Sequence, residues 1–164
     1  MPVGIVGTGH VGLVTGACFA DLGNDVLCVD NDPEIIAGLR QGVVRMHEPG
    51  LPELVAKGMR SGRLGFGSSV QELVERSEVI FLCVGTPSKD DGAADLSYVE
   101  SACLEIARHL RDYRIIVEKS TVPAKTGEWI ARTLRLRSRS GAKFDVVSFP
   151  EFFREGSCIQ DFMH

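Results

Sequence analysis

The sequence lacks several features that mark whole classes of protein. No apolar run approaches the ~20 residues of a transmembrane helix, and no basic stripe stands out in a chain whose formal net charge is −4. We therefore expect neither a membrane span nor a nucleic-acid partner. The chain starts directly with a strand-like segment, so we also expect no signal peptide and a cytoplasmic protein.

Disulfide and metal-binding patterns are missing too. The four histidines are scattered, and the cysteines have no paired or metal-type spacing; they are Cys18, Cys28, Cys83, Cys103 and Cys158. Four of the five cysteines fall within apolar helix or strand patterns. We interpret them as reduced core thiols and expect no metal site.

Strand and helix patterns alternate along all 164 residues, of which 44% are hydrophobic. Predicted strands cover residues 2–6, 25–30, 64–66, 78–84, 115–118 and 144–148. Predicted helices cover residues 11–23, 33–42, 51–61, 69–76, 97–110 and 123–137. Such alternation is typical of an α/β fold with a doubly wound parallel sheet, and the length predicts one domain over residues 1–164.

Three glycines separate the first predicted strand from the first helix, in the pattern Gly7-x-Gly9-x-x-Gly12. Gly7 permits a tight turn, Gly9 lets the backbone approach a pyrophosphate, and Gly12 lets the helix pack closely on the strand. Free N–H groups at the helix start would face the anion. The motif and its context predict a Rossmann-type dinucleotide site; the alternative is a tight turn without a ligand.

Asp30 ends the second predicted strand, 18 residues after Gly12. A carboxylate there can accept hydrogen bonds from the adenosine ribose and would repel the 2′-phosphate of NADP, so we expect NAD as cofactor. The alternative for Asp30 is a helix N-cap or turn residue. Asp32, directly before Pro33, suits the N-cap position better.

Several candidate segments follow the ends of predicted strands. Besides residues 7–12 and Asp30, they are residues 85–87, 119–121 and 150–151. Because ligands of such sheets bind at the carboxyl ends of the strands, we expect all of these segments to converge on one edge.

Seven motifs resemble one enzyme family in order and spacing. They are GTGHVGL (7–13), EPGL (48–51), GRL (62–64), VGTP (84–87), ADL (94–96), KSTVP (119–123) and PEFFREG (150–156). The whole chain resembles the N-terminal half of the UDP-glucose 6-dehydrogenases, within the UDP-glucose/GDP-mannose dehydrogenase family. The resemblance implies oxidation of the C6 alcohol of a nucleotide sugar to a carboxylate, with two NAD⁺ and a cysteine thioester, for polysaccharide biosynthesis.

The resemblance also implies roles for individual residues. The turn residues Gly7, Gly9, His10, Val11 and Gly12 would hold the pyrophosphate, and Asp30 the ribose. Thr86 would line the cofactor cleft, and Thr121 would lie near the nicotinamide and help place a water. Glu151 would assist thioester hydrolysis, Glu155 would contact cofactor and substrate, and the backbone at Phe152 and Phe153 would contact the sugar nucleotide.

Each of these roles has a plain structural alternative. Glu151 and Glu155 could be solvated acids one helical turn apart, pairing with Arg154. Thr121 could be an N-cap for the helix that starts at Pro123. Glu48 could simply occupy a turn. Cys158 is not the nucleophile that the family implies, because the family's catalytic cysteine motif lies much later.

The chain also departs from the family pattern at five positions. They are His10 for tyrosine, Ile35 for a basic residue, Lys125 for glycine, Phe149 for asparagine and Phe153 for leucine. The family's catalytic cysteine, lysine and asparagine, its long dimer-forming helix and its UDP-binding domain all lie beyond residue 164. The full-length form would be a homodimer or larger.

We therefore expect the 164-residue polypeptide to bind NAD, not to oxidise UDP-glucose by itself, and to self-associate through an apolar face. Two alternatives stay open. One is a free-standing, non-catalytic NAD-binding module or remnant. The other is a dehydrogenase of GDP-mannose or a UDP-N-acetyl sugar.

Overall fold

Thirteen regular elements are present in the computed structural model, which describes residues 1–139 and 141–164. The strands are β1 (Pro2–Val6), β2 (Asp25–Val29), β3 (Leu64–Gly67), β4 (Val79–Leu82), β5 (Arg114–Glu118) and β6 (Phe144–Ser148). The helices are α1 (His10–Asp21), α2 (Pro33–Arg40), α3 (Leu51–Arg60), α4 (Val70–Arg76), α5 (Ser97–His109), α6 (Thr126–Arg137) and α7 (Cys158–Met163).

All six strands form one parallel sheet in the order β3-β2-β1-β4-β5-β6. The strand order reverses at β1, where Val3 pairs with Val26 on one side and Val79 on the other. The predicted doubly wound α/β fold is thus confirmed. A crevice opens at such a reversal, beyond the carboxyl ends of the strands, and it is the usual ligand site of these sheets.

Alternate residues of the central strands point into two apolar cores. In β1, Ile5 faces a core shared with α1, α3 and α7, whereas Val6 faces the core under α4, α5 and α6. Because helices cover both faces, the central strands are apolar almost throughout, as parallel strands usually are. All five cysteines are buried, the four that lie in apolar patterns as expected and Cys158 as well.

Helix starts follow local capping chemistry. Asp32 caps α2 as predicted, because its carboxylate accepts hydrogen bonds from the N–H groups of Glu34 (2.8 Å) and Ile35 (3.2 Å). The prediction that Pro123 opens the next helix is wrong. A turn precedes α6, and Lys125 is its N-cap with a φ of 71°. That left-handed conformation favours glycine, the residue that the family pattern has there.

One helix was not predicted, namely the six-residue α7, which packs against α1. Among the described residues, no helix combines the length and the apolar character needed to cross a membrane.

Candidate cofactor site

The glycine turn after β1 requires its three glycines for different reasons. Gly7 has a φ of +96°, and a Cβ there would lie 2.6 Å from the carbonyl oxygen of Cys83. A Cβ on Gly12 would lie 1.9 Å from the carbonyl oxygen of Gly7. A Cβ on Gly9, by contrast, would meet no described atom within 4 Å. Packing therefore explains Gly7 and Gly12, whereas the open space beside Gly9 fits a ligand that approaches the backbone.

The start of α1 is suited to an anion. Gly9 is its N-cap, no described side chain caps it, and its first turn contains no acidic residue. The first N–H groups of a helix have no partner within the helix, and they carry the positive end of its dipole. These N–H groups and the space beside Gly9 fit a pyrophosphate.

Asp30 fixes the turn to the end of β2. One carboxylate oxygen accepts hydrogen bonds from the N–H (2.7 Å) and the hydroxyl (2.8 Å) of Thr8, and the other accepts one from the N–H of Asp32 (3.1 Å). A carboxylate has about four acceptor positions, so these bonds leave capacity for a ribose hydroxyl. Asp30 thus acts as the turn residue that was the alternative to a ribose-binding role, and it keeps the capacity to bind a ligand.

Two adjoining cavities lie along the carboxyl ends of the strands. A cavity of about 720 Å³ is lined by residues that include Gly9, Asp30 and Gly85. The other, of about 230 Å³, is lined by His10, Thr86, Thr121 and Glu151, among others. The predicted convergence of the strand-end segments is thus confirmed. The larger volume falls within the range of small-molecule and cofactor sites.

Hydrogen bonds join the loops that follow β4 and β5. The Thr86 hydroxyl donates to the carbonyl oxygen of Thr121 at 2.8 Å, and the Ser120 hydroxyl donates to that of Val84 at 2.8 Å. Thr121 lies four residues before the N-cap of α6, so its alternative as a cap is wrong. Its carbonyl instead fixes the position of Thr86 at the cleft wall.

Lys119 brings a positive charge to the same region; the sequence placed it in the candidate segment 119–121 without predicting a role for it. The residue is 2% exposed. Its Nζ lies 4.9 Å from the ring centroid of Phe149 and 4.8 Å from that of Phe153. Burial lowers the pKa of its ammonium group. Two departures from the family pattern thus form an aromatic surface around one cation. The available signal was its position, directly after β5.

The segment before α7 is not helical, so the alternative of two acids one helical turn apart is wrong. Glu151 is half-buried, and its carboxylate accepts a hydrogen bond from the N–H of Phe153 at 2.6 Å. Arg154 pairs with Asp161 instead. Glu155 is exposed on a turn. Of the predicted pair, only Glu151 is thus held at the cleft by a described contact.

The two phenylalanines beside Glu151 have different surroundings. The Phe152 side chain is 85% exposed. Phe153 packs against Phe162, with the ring centroids 6.2 Å apart. Both line, with Glu151, a mainly apolar cavity of about 460 Å³. This surface is distinct from the glycine turn.

Glu48 is not an ordinary turn residue, because it is 3% exposed. Its carboxylate accepts hydrogen bonds from the N–H groups of Gly156 (2.9 Å) and Cys158 (2.9 Å) and contacts His10 Nε2 at 3.0 Å. Burial alone would raise the pKa of Glu48, but these hydrogen bonds outweigh it and keep the pKa below its usual value. Sequence analysis missed this group, because its members lie 38 and 110 residues apart.

Comparison with known proteins agrees with this geometry. The profile of the UDP-glucose/GDP-mannose dehydrogenase family, NAD binding domain, matches residues 1–164. The UDP-glucose 6-dehydrogenase TuaD of Bacillus subtilis is 45% identical over 162 residues, which are 99% of this chain and 35% of that protein. The UDP-glucose 6-dehydrogenase of Rhizobium meliloti is 48% identical over 163 residues, 99% of this chain and 37% of that protein.

Solved structures give the same picture. A UDP-glucose dehydrogenase from Pyrobaculum islandicum has a TM-score of 0.93 at 42% identity, covering 98% of this chain and 38% of the other. A GDP-mannose dehydrogenase from Pseudomonas aeruginosa has a TM-score of 0.93 at 36% identity, covering 99% of this chain and 38% of the other. The chain thus spans little more than a third of the length of these relatives.

Proposed function

The chain belongs to the UDP-glucose/GDP-mannose dehydrogenase family with NAD as its cofactor, and we propose that it is the NAD-binding domain of an enzyme that oxidises UDP-glucose to UDP-glucuronate. The observation that carries this proposal is the cleft at the strand ends. There, the space beside Gly9, the uncapped start of α1 and the carboxylate of Asp30 lie together.

Different residues of the chain bind different parts of the cofactor. The N–H groups at the start of α1 hold the pyrophosphate, with His10 and Val11 in the same turn, and Asp30 accepts a ribose hydroxyl. Thr86 and Thr121 form the wall of the adjoining cavity and place the nicotinamide end. When bound, NAD⁺ accepts the hydride that leaves the sugar C6.

Glu151 is the chain's acid–base group in this proposal. Its half-buried carboxylate lies in the cavity that Thr121 also lines. A carboxylate there can take a proton from a water that attacks the thioester, while Thr121 orients that water. Glu155 and the backbone at Phe152 and Phe153 contact the sugar nucleotide. The cysteine that carries the thioester lies outside these 164 residues, as it does in the family pattern.

The substrate has one specific competitor. The GDP-mannose dehydrogenase structure matches this fold as well as the UDP-glucose dehydrogenase does, with the same TM-score of 0.93. GDP-mannose is therefore the second candidate. A non-catalytic NAD-binding module is the third candidate. Unlike the two dehydrogenases, it would give no turnover when it is joined to the remaining part of a related enzyme.

A chimeric enzyme tests these alternatives. The present chain replaces the matched 162 residues of Bacillus subtilis TuaD, and NADH formation is followed with UDP-glucose or GDP-mannose. We expect turnover with UDP-glucose in the chimera and none in the 164-residue polypeptide alone. Unaltered TuaD is the positive control. Because the rest of this chimera comes from TuaD, it separates a catalytic domain from the non-catalytic module, and a folded chimera without turnover would favour the module. A second chimera, with the remaining part of the Pseudomonas aeruginosa GDP-mannose dehydrogenase, tests the substrate. Turnover only in that chimera, with GDP-mannose, would refute the proposed substrate.

The same chimera tests the role of Glu151. Glu151→Gln removes the proton acceptor with little change in shape, so we expect kcat to fall by about 10² or more while KM changes little. Glu75→Gln, an exposed substitution on α4, is the matched control. An unchanged kcat in E151Q would contradict the assignment.

A further inference from the structure

Three potential metal ligands meet where distant segments of the chain come together. His10 begins α1, Glu48 lies in the loop before α3, and Cys158 begins α7. Their donor atoms all lie within 4.8 Å of one another. His10 Nε2 is 3.0 Å from a Glu48 oxygen and 3.3 Å from Cys158 Sγ. No metal site is expected from the sequence, because no linear spacing links these residues.

The three side chains are held before any ligand arrives. The side chain of Glu48 is 1% exposed, and two backbone N–H groups fix its carboxylate. Cys158 is 1% exposed. His10 has a 27% exposed side chain and lines the cavity of about 230 Å³. The group is therefore closed towards the core and open at one side, as in sites where protein supplies three ligands and solvent the fourth.

We propose that His10, Glu48 and Cys158 form a binding site for one divalent cation of the zinc type. An imidazole nitrogen, a carboxylate oxygen and a thiolate are the ligand types that zinc takes in proteins. Tetrahedral zinc with ordinary bond lengths would set the nitrogen about 3.4 Å from the oxygen and about 3.6 Å from the sulfur. The two present separations from His10 Nε2 are a few tenths of an ångström smaller, and the three donor atoms all lie within 4.8 Å of one another, so small side-chain adjustments would bring them to a common cation.

Binding exchanges one proton for one cation. In the metal-free group, the Cys158 thiol contacts the carbonyl oxygen of Arg154 at 3.3 Å. The sulfur donates its hydrogen to that carbonyl, so the metal-free group contains a thiol. On binding, the sulfur–proton bond breaks, the proton goes to solvent, and the thiolate binds the metal. His10 Nε2 gives up the hydrogen that faces Glu48 and binds as the neutral imidazole that carries its proton on Nδ1. The two negative ligands then balance the charge of the cation.

The position of the site gives the cation a structural consequence. Two of its ligands are the first residues of α1 and α7, and the third lies in the loop before α3. A bound cation would join α7 to the turn that holds the cofactor. We therefore expect zinc to raise the midpoint of thermal unfolding, and chelation to reverse the rise.

Cobalt spectroscopy tests the proposal on the 164-residue polypeptide itself. Reduced, metal-free protein is titrated with Co²⁺, whose bond to a thiolate gives a charge-transfer band in the near ultraviolet; Zn²⁺ affinity then follows by displacement. We expect one cation per chain and a thiolate band. In Cys158→Ser, we expect the band to disappear. In both Cys158→Ser and His10→Ala, we expect Zn²⁺ affinity to fall at least about tenfold.

Two matched variants exclude other donors. Cys103→Ala removes a buried thiol in the other core, and His47→Ala removes the exposed histidine next to Glu48. Both should keep the band and the affinity. Absence of binding to the folded wild-type chain would overturn the proposal, as would binding that C158S leaves unchanged. In either case, the three residues would only form a hydrogen-bonded link between α1 and α7.

Discussion

Adding one methyl group at Gly9 separates cofactor binding from folding. The Gly9 backbone has φ −65° and ψ −171°, which alanine also adopts, and a Cβ there meets no described atom within 4 Å. We expect Gly9→Ala to change the free energy of unfolding by less than about 1 kcal/mol, because the restriction that alanine places on the unfolded chain opposes its poorer fit to the N-cap position.

The effect on NAD affinity should be large. The methyl group would fill the space that a pyrophosphate needs and would displace it from the N–H groups of α1. Loss of one charge-assisted hydrogen bond costs about 1.5–3 kcal/mol. Since 1.4 kcal/mol is a factor of ten in affinity, Kd for NAD⁺ should rise at least about tenfold.

Gly12→Ala provides the contrast. Its Cβ would lie 1.9 Å from the carbonyl oxygen of Gly7 and 3.0 Å from the carbonyl carbon, and backbone cannot move aside cheaply. We expect it to lower the free energy of unfolding by about 3 kcal/mol, the upper part of the usual range for overpacking. Gly12→Ala should therefore impair both folding and binding, whereas Gly9→Ala should impair binding alone.

Urea denaturation and calorimetric titration with NAD⁺ measure the two effects. Gly38→Ala, in the middle of α2 with only ordinary contacts for the new Cβ, is the control. It should be about 1 kcal/mol more stable and bind NAD⁺ like the wild type. Wild-type affinity in G9A would refute the placement of the pyrophosphate. A marked fall in the free energy of unfolding of G9A would contradict the claim that the space beside Gly9 is open.

Two further predictions concern stability and association. Glu118 is 1% exposed, and burial raises its pKa from 4.5 to about 7, so the unfolded chain releases this proton at lower pH than the folded one. The free energy of unfolding of the wild type should therefore fall as the pH rises from 4.5 to 7. In urea denaturation, Glu118→Gln should be more stable than the wild type by up to about 3 kcal/mol above pH 7 and equally stable below pH 4.5. A constant difference across this range would contradict the assigned cause. Phe149 and Phe152 are 58% and 85% exposed, so we expect the chain to self-associate in sedimentation velocity runs and the double serine variant to do so less; a wild-type monomer at every concentration would rule this out.

Local chemistry made most of the fold predictable. Uninterrupted apolar strands between helix patterns imply a parallel sheet with both faces covered, and Asp32 before Pro33 marks a helix start that the structure confirms. The start of α6 was misplaced because proline is only more frequent at the first position of a helix and does not have to open one. Here Pro123 opens a turn, and Lys125 takes the left-handed conformation.

The positions of the glycine turn and its neighbours were predictable because they depend on the order of strands and adjacent residues. The pattern Gly7-x-Gly9-x-x-Gly12 places backbone groups directly, and strand ends bring Thr86, Thr121 and Glu151 to one edge. The contacts of Glu48, Cys158 and Lys119 were not predicted because they come from residues far apart in the chain. Tertiary packing alone buries Glu48 beside His10, and no linear pattern carries that information.

Calorimetric titration of the wild-type chain with NAD⁺ and, separately, NADP⁺ tests the central claim most directly. The account predicts one NAD⁺ per chain and affinity for NADP⁺ at least about tenfold weaker, because the Asp30 carboxylate would face the extra phosphate. Equal affinity for the two cofactors, or no binding of NAD⁺ to the folded chain, would contradict it.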